Sequence, residues 1–290
     1  MRKAAIIILL FTGLSILLYP FASSWISHRR MLVRINSYNR CISSLDAETA
    51  EAEWLKAKLY NDTLRKNSEG SSHMQTSGNS LPSGYYQTLN IEGVMCVLEI
   101  PSISVNIPVS HGVSTSVLRN GAGHIEGTSL PIGGEGTHSF ITAHTGLPEA
   151  RLMTNLDKLK EGDIFYISVL NTKLVYKVDK IDIIEPQEIA DYAKWESGDY
   201  VTLITCTPYG VNSHRLLVRG TRVQWHHYPP VYKNKDYICF YLLALLILIL
   251  LISFIIVFLL YRKKDDKNEK RRVYRLKTPD DFKHKPFRHQ

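Results

Sequence analysis

Two stretches of this chain contain no charged side chain: residues 4–26, 23 in all, and residues 237–261, 25 in all. Each reaches the roughly 20 apolar positions that a bilayer-crossing helix requires. A purely soluble protein is a poor fit to such a pattern, and the 290-residue chain leaves about 210 residues between the two runs for anything globular. That is room for one domain and its attachments.

The net charge of +8 would suggest a nucleic-acid partner if it were spread evenly, but it is not. Residues 262–290 carry 12 Lys/Arg against 5 Asp/Glu, Arg2 and Lys3 add two more, and the intervening stretch sums to −1. Basic residues therefore flank the apolar runs, which is the charge pattern of cytoplasmic membrane edges. It places both termini inside and residues 27–236 outside, and it removes nucleic acid from the expected partners. The first run, with its flank making residues 1–27, fits an uncleaved anchor. It also fits a cleaved signal peptide, because Ala22-Ser23-Ser24 offers a small-residue cleavage site. Either way the middle is exported. Residues 237–261 read as a transmembrane helix, and residues 262–290 as a basic cytoplasmic tail able to meet anionic lipid heads.

Between the runs the composition changes twice. Residues 28–66 contain no Gly or Pro and are rich in Ala and Leu, so a helical stalk is expected, with Ser44 or Asp46 capping an inner helix. Residues 67–88 open with Asn, Ser, Gly, Gln and Thr, the composition of a loop. From residue 89 onward come short β-rich runs at 94–100, 105–109, 139–144, 164–169, 174–183, 200–206 and 215–225, with a helical turn expected over 152–159. Short strands at this spacing point to an all-β sandwich or barrel, and a barrel over 89–226 leaves no open edge.

The four cysteines, Cys41, Cys96, Cys206 and Cys239, form no Cys-x-x-Cys pair and no dense disulfide framework, although Cys41 and Cys96 remain a candidate pair. Cys206 stands apart. It ends the alternating run 200–206 just before Thr207-Pro208-Tyr209-Gly210, where a thiol is either a small buried apolar group or a rim nucleophile. Nucleophilic work needs a base and an anion stabiliser. His144 ends the run 138–144, and Arg215 begins the run after the turn that follows Cys206. The usual zinc-ligand spacings are missing, and no cofactor is expected.

The stretch Thr202-Leu203-Ile204-Thr205-Cys206-Thr207-Pro208-Tyr209-Gly210-Val211-Asn212-Ser213-His214-Arg215 resembles the TLxTC signature of sortases. The similarity extends over residues 93–222, including the block 121–134 and Leu216-Leu217-Val218-Arg219-Gly220, and is most like class C, the pilus-polymerising type. The resemblance implies an eight-stranded sortase β-barrel preceded by helices and flanked by two membrane helices. It implies a cysteine transpeptidase of the Gram-positive cell membrane, with its catalytic domain extracellular. Cys206 would be the nucleophile, His144 the acid/base and Arg215 the stabiliser of substrate and oxyanion; Thr205 is a candidate substrate contact or equally a threonine packed in its strand.

The expected reaction cleaves an LPxTG-like sorting signal through a thioester and joins pilin subunits by a lysine isopeptide bond, without ATP. Attachment of proteins to cell-wall peptidoglycan and a non-catalytic pilus-assembly scaffold are the alternatives. Residues 67–88 occupy the place of the class C lid, whose Asp-Pro-aromatic plug has no counterpart here, since none of the twelve prolines follows an aspartate. An unplugged or weakly covered site is expected.

Overall fold

The computed structural model describes residues 2–68, 82–147, 150, 152–192 and 197–224, together with Ile247, Phe254, Arg262 and Lys263. The chain divides into two units, Met1–Lys233 and Asn234–Gln290. The second apolar run and the basic tail lie, apart from those four positions, outside the described residues. Among the described residues no helix is long and apolar enough to cross a membrane.

The first unit opens with α1 (Arg2–Ser44) and α2 (Ala47–Ser68). The break between them is set by Asp46, whose carboxylate accepts the backbone N–H of Thr49 at 2.6 Å and so caps α2. Residues 28–66, read from the sequence as a stalk, lie along the barrel. Met31, Ile35, Tyr38 and Ile42 of α1 and Ala57, Tyr60 and Leu64 of α2 are buried in the same core as the barrel strands. Polar clamps add to this apolar seam. The Tyr38 hydroxyl accepts the Leu170 N–H at 2.9 Å, and the Arg34 guanidinium donates to the carbonyls of Gly93 and Asn120 and to the Ser110 hydroxyl.

Asn61 makes the tightest such clamp, donating to the Leu130 carbonyl at 3.1 Å and accepting the Leu130 N–H at 2.7 Å. Both are buried, so Asn61→Ala strands two backbone groups away from water. A loss of about 2–4 kcal/mol in unfolding free energy is expected, measured by urea denaturation.

Eight strands follow: β1 (Cys96–Ile100), β2 (Val105–His111), β3 (Ala122–His124), β4 (Thr137–Thr142), β5 (Ile164–Val169), β6 (Thr172–Ile184), β7 (Asp199–Thr207) and β8 (His214–Val223). Short helices α3 (Thr115–Arg119) and α4 (Ile189–Tyr192) interrupt them. The strands close in the order β1-β2-β3-β4-β7-β8-β6-β5, with β1 paired to β5. The pairs β2/β3 and β4/β7 are parallel and the rest antiparallel. β3 escapes the sequence reading because three residues, Ala-Gly-His, are too short to show alternation. β4 stops at Thr142, two residues earlier than expected, where its ladders to β3 and β7 both end.

The wall of the barrel separates two apolar clusters. On β7, Val201 and Leu203 join the large core, whereas Ile204 packs with Phe140 of β4 and Leu217 of β8 in a small second cluster covered by Ile125, Ile184, Ile189 and Tyr192. This is period-2 alternation expressed as two faces. In the large core the Phe165 and Tyr176 rings stack at 5.5 Å, close against Gly220, where a Cβ would lie 2.4 Å from the Phe165 ring. A side chain at 220 would therefore collide with the buried Phe165 ring.

Candidate active site

The second, smaller face leads to the chemistry. Along β7 it carries Thr202, Ile204 and Cys206, and Cys206 pairs directly with Arg215 across the antiparallel β7/β8 ladder. Directly opposed side chains in such a ladder have Cβ atoms roughly 4.5–5.5 Å apart. The parallel β4/β7 ladder puts Thr142 level with Ile204, and two further bonds hold the strands together past its end. The Ala143 N–H donates to the Ile204 carbonyl at 3.2 Å, and the Thr205 hydroxyl donates to the Ala143 carbonyl at 2.9 Å. His144 is thereby brought level with Cys206, on the neighbouring strand path and at the same end of the barrel.

Cys206, His144 and Arg215 are all half-buried, so each is both held by the protein and open to a substrate. The Arg215 guanidinium is steadied by the turn before it, donating to the carbonyls of Asn212 and His214 at 3.1 Å each. His144 is fixed through its backbone, its carbonyl accepting the Met153 N–H at 3.3 Å. Thr205 lies on the opposite face from Cys206 and is buried, with its hydroxyl committed to the strand that delivers His144. The sequence leaves Thr205 either as a substrate contact or as a strand-packing residue, and in the structure its hydroxyl joins two strands.

The other thiols differ. Cys96 is fully buried, and burial pushes its thiol well above the usual range, so it stays protonated and inert. Cys41 is half-exposed on α1, and Cys41, Cys96 and Cys206 are all free. Cys239 lies outside the described residues. Of the histidines in the matched blocks, His124 is buried between the Ser129 carbonyl and the Tyr85 hydroxyl, and His214 meets the Ser213 hydroxyl, both structural bonds. Among the described residues no cluster of three or more His, Cys, Asp or Glu side chains could hold a metal ion.

A thiol, an imidazole and a guanidinium gathered at one end of a closed barrel suit acyl transfer through a cysteine, because they supply nucleophile, proton carrier and a donor for a developing oxyanion. The comparisons with known proteins agree in family. The model of the sortase domain matches residues 98–223. The fold is similar to that of sortase C-1 from Actinomyces oris, at 43% identity over 61% of this chain and 99% of that one, with a TM-score of 0.55. It is similar also to sortase C1 of GBS pilus island 1, at 38% identity over 69% and 95% of the two chains, with a TM-score of 0.61. Sortase A of Streptococcus agalactiae serotype III is 23% identical over 212 residues, covering 71% of this chain and 78% of its own. The chain belongs to the sortase family of cysteine transpeptidases, and both solved structures above are pilus-type sortases of class C.

Proposed function

We propose that this sortase polymerises pilins. Cys206 Sγ attacks the carbonyl of the threonine in an LPxTG-like sorting signal, and the C–N bond to the following glycine breaks. His144 takes the Cys206 thiol proton as the sulfur attacks and passes it to the departing amine, and the upstream segment remains as a thioester on Cys206. The ε-amine of a lysine on the next pilin then attacks that thioester, gives up its proton to His144, and releases the thiol as an isopeptide bond forms. Arg215 donates to the carbonyl oxygen while it carries negative charge. The acyl-enzyme keeps the energy of the cleaved peptide bond, so no nucleotide is consumed.

The single observation that carries this reading is the register that sets Cys206 opposite Arg215, with the segment that leads from β4 to His144 bonded alongside through Ala143. The class C neighbours favour a protein amine as acceptor. The membrane setting is part of the same proposal. Along the first half of α1, Leu9, Ile16, Leu17, Tyr19, Phe21, Trp25 and Ile26 are exposed, which suits a lipid surface better than water. With Arg2 and Lys3 inside, the barrel stands outside a Gram-positive cell, where exported pilins are found. The plug expected to be missing falls mainly on residues 69–81, outside the described residues.

The test is to reconstitute the full chain in vesicles with a sorting-signal peptide and a pilin. Mass spectrometry should find the peptide's upstream part on Cys206 and later on a pilin lysine. Transfer to a peptidoglycan amine in place of the lysine would make this a wall-anchoring sortase, and no adduct on Cys206 would leave a non-catalytic scaffold.

A further inference from the structure

The two groups that must exchange a proton sit where two different segments leave the sheet, Cys206 just inside the end of β7 and His144 just past the end of β4. His144 sits in the segment 143–147 that leaves β4, and Cys206 is followed by the turn 208–213 that joins β7 to β8. Bonds between the two strand paths reach Ala143 and Thr205, and Cys206 is held further by its pairing with Arg215, so past these residues the His144 segment meets the turn after Cys206 outside the sheet. The turn is closed on itself, the N–H groups of Val211 and Asn212 both donating to the Pro208 carbonyl at 3.1 and 2.9 Å. The His144 segment is tied on its far side, where the Gly146 N–H donates to the Thr154 hydroxyl at 3.1 Å. Each loop is thus ordered internally, and a contact between them would make the two move as one body.

That contact is present. The ring of Tyr209, from the turn after Cys206, lies on Gly146, from the segment after His144. A Cβ at 146 would sit 3.1 Å from Cε2 and 3.4 Å from both Cδ2 and Cζ of the ring. Gly146 has φ +73°, a backbone conformation costly for other residues, and the missing side chain lets the Tyr209 ring come close to it. Tyr209 as a whole is 70% exposed. At that exposure the ring gains little from burial, so removing it should cost little stability.

We propose that Tyr209 is a positioning residue: by seating its ring on Gly146 it locks the turn that follows Cys206 to the segment that follows His144, and so holds thiol and imidazole at reacting distance. This rests on the assignment of Cys206 and His144 to the transpeptidation. A nucleophile and base displaced by 1 Å lose on the order of 10²-fold in rate, which sets the size of the effect to look for.

The experiment uses the full chain in vesicles, with Tyr209→Ala, Tyr209→Phe, Gly146→Ala and the double variant Tyr209→Ala/Gly146→Ala. Two readouts are taken: thioester formation from the sorting-signal peptide, resolved into kcat and KM, and alkylation of Cys206 by iodoacetamide across pH, read on its own tryptic peptide. Tyr209→Ala should lower kcat by about 10–100-fold with KM changed less than about twofold. It should also alter the pH profile of Cys206 alkylation, while thermal unfolding stays within about 2 °C of the parent. Tyr209→Phe, which keeps the ring, should restore both readouts. Gly146→Ala should reproduce the defect, and the double variant should be no worse than the worse single one, as expected of two residues in one contact.

Parental kcat and an unchanged alkylation profile in Tyr209→Ala would overturn the proposal. So would a Tyr209→Phe chain as defective as Tyr209→Ala, or additive losses in the double variant. The alkylation profile needs no sorting signal. If the parent chain forms no thioester, the functional reading fails, and the clasp is still judged on Cys206 reactivity alone.

Discussion

A Cys206→Ala chain is expected to fold as its parent does and to form no acyl-enzyme, with turnover of the sorting signal down by on the order of 10⁴-fold or more. Structural neutrality follows from the site. Cys206 is half-buried near the end of β7, its thiol is free, and its neighbours Ile204 and Leu217 pack with each other and with Phe140. Removing one sulfur there should cost within about 1 kcal/mol. The chemical loss is total because no other described thiol can replace it. Cys96 is fully buried and held protonated, and Cys41 lies on α1. Iodoacetamide should therefore label Cys206 and Cys41 in the folded parent and spare Cys96 until the chain unfolds. Residual thioester chemistry in the Cys206→Ala chain, found by mass spectrometry on any other residue, would refute the assigned nucleophile. Arg215→Ala should be milder, about 10²–10³-fold, since it removes one oxyanion donor and leaves the nucleophile in place.

The three candidate residues were legible because each sits where a periodic pattern stops. Alternation along 200–206 puts Cys206 at the end of a run, and the turn Pro208-Tyr209-Gly210 returns the chain so that Arg215 meets it. The parallel pairing of β4 with β7 was not legible. These strands are some 60 residues apart in sequence, and nothing local in either states its partner. Only a family resemblance could place His144 beside Cys206 beforehand. The docking of the helices was missed for a related reason. The buried residues of residues 28–66 include Tyr38, Asn61 and Tyr60, which score as polar or ambivalent, so the segment reads as a neutral stalk although a face of it is core. Thr205 and Tyr209 show a further limit. One hydroxyl bonds a carbonyl 62 residues away and one ring rests on a glycine in another loop, and such contacts leave no periodic trace.

Acid should unfold this barrel well before its carboxylates are neutralised. His124 is fully buried, and burial holds its imidazole down at about 4 despite its bond to the Ser129 carbonyl. His138 is buried between Thr202, Phe140 and Tyr200 with an unpartnered Nδ1. Burial first, then the nearby Arg219 charge, hold it at about 3. His111 is shifted the same way by burial. Above pH 6.5 each of these is neutral in both folded and unfolded chains, and their burial carries no titration penalty. As the pH falls below 6.5 the unfolded chain binds a proton on each, while the folded barrel refuses it until about 4 and about 3. Stability is therefore lost on acidification, at about 1.4 kcal/mol per pH unit for each histidine. For His124 and His138 together, the fall from pH 6.5 to 4.5 amounts to about 5 kcal/mol, comparable with the whole stability of many domains. Asp199 opposes this in part. Burial raises its carboxyl in spite of bonds from the Gly134 N–H and the Tyr176 hydroxyl, so the folded state takes up that proton more readily. Urea unfolding of the full chain in detergent at pH 7.5 and 4.5 should show the midpoint collapse. His138→Phe, which keeps a ring against Phe140 and Tyr200, should reduce the pH dependence by about one proton. A midpoint that stays level between the two pH values would mean that these imidazoles are not buried in their neutral form.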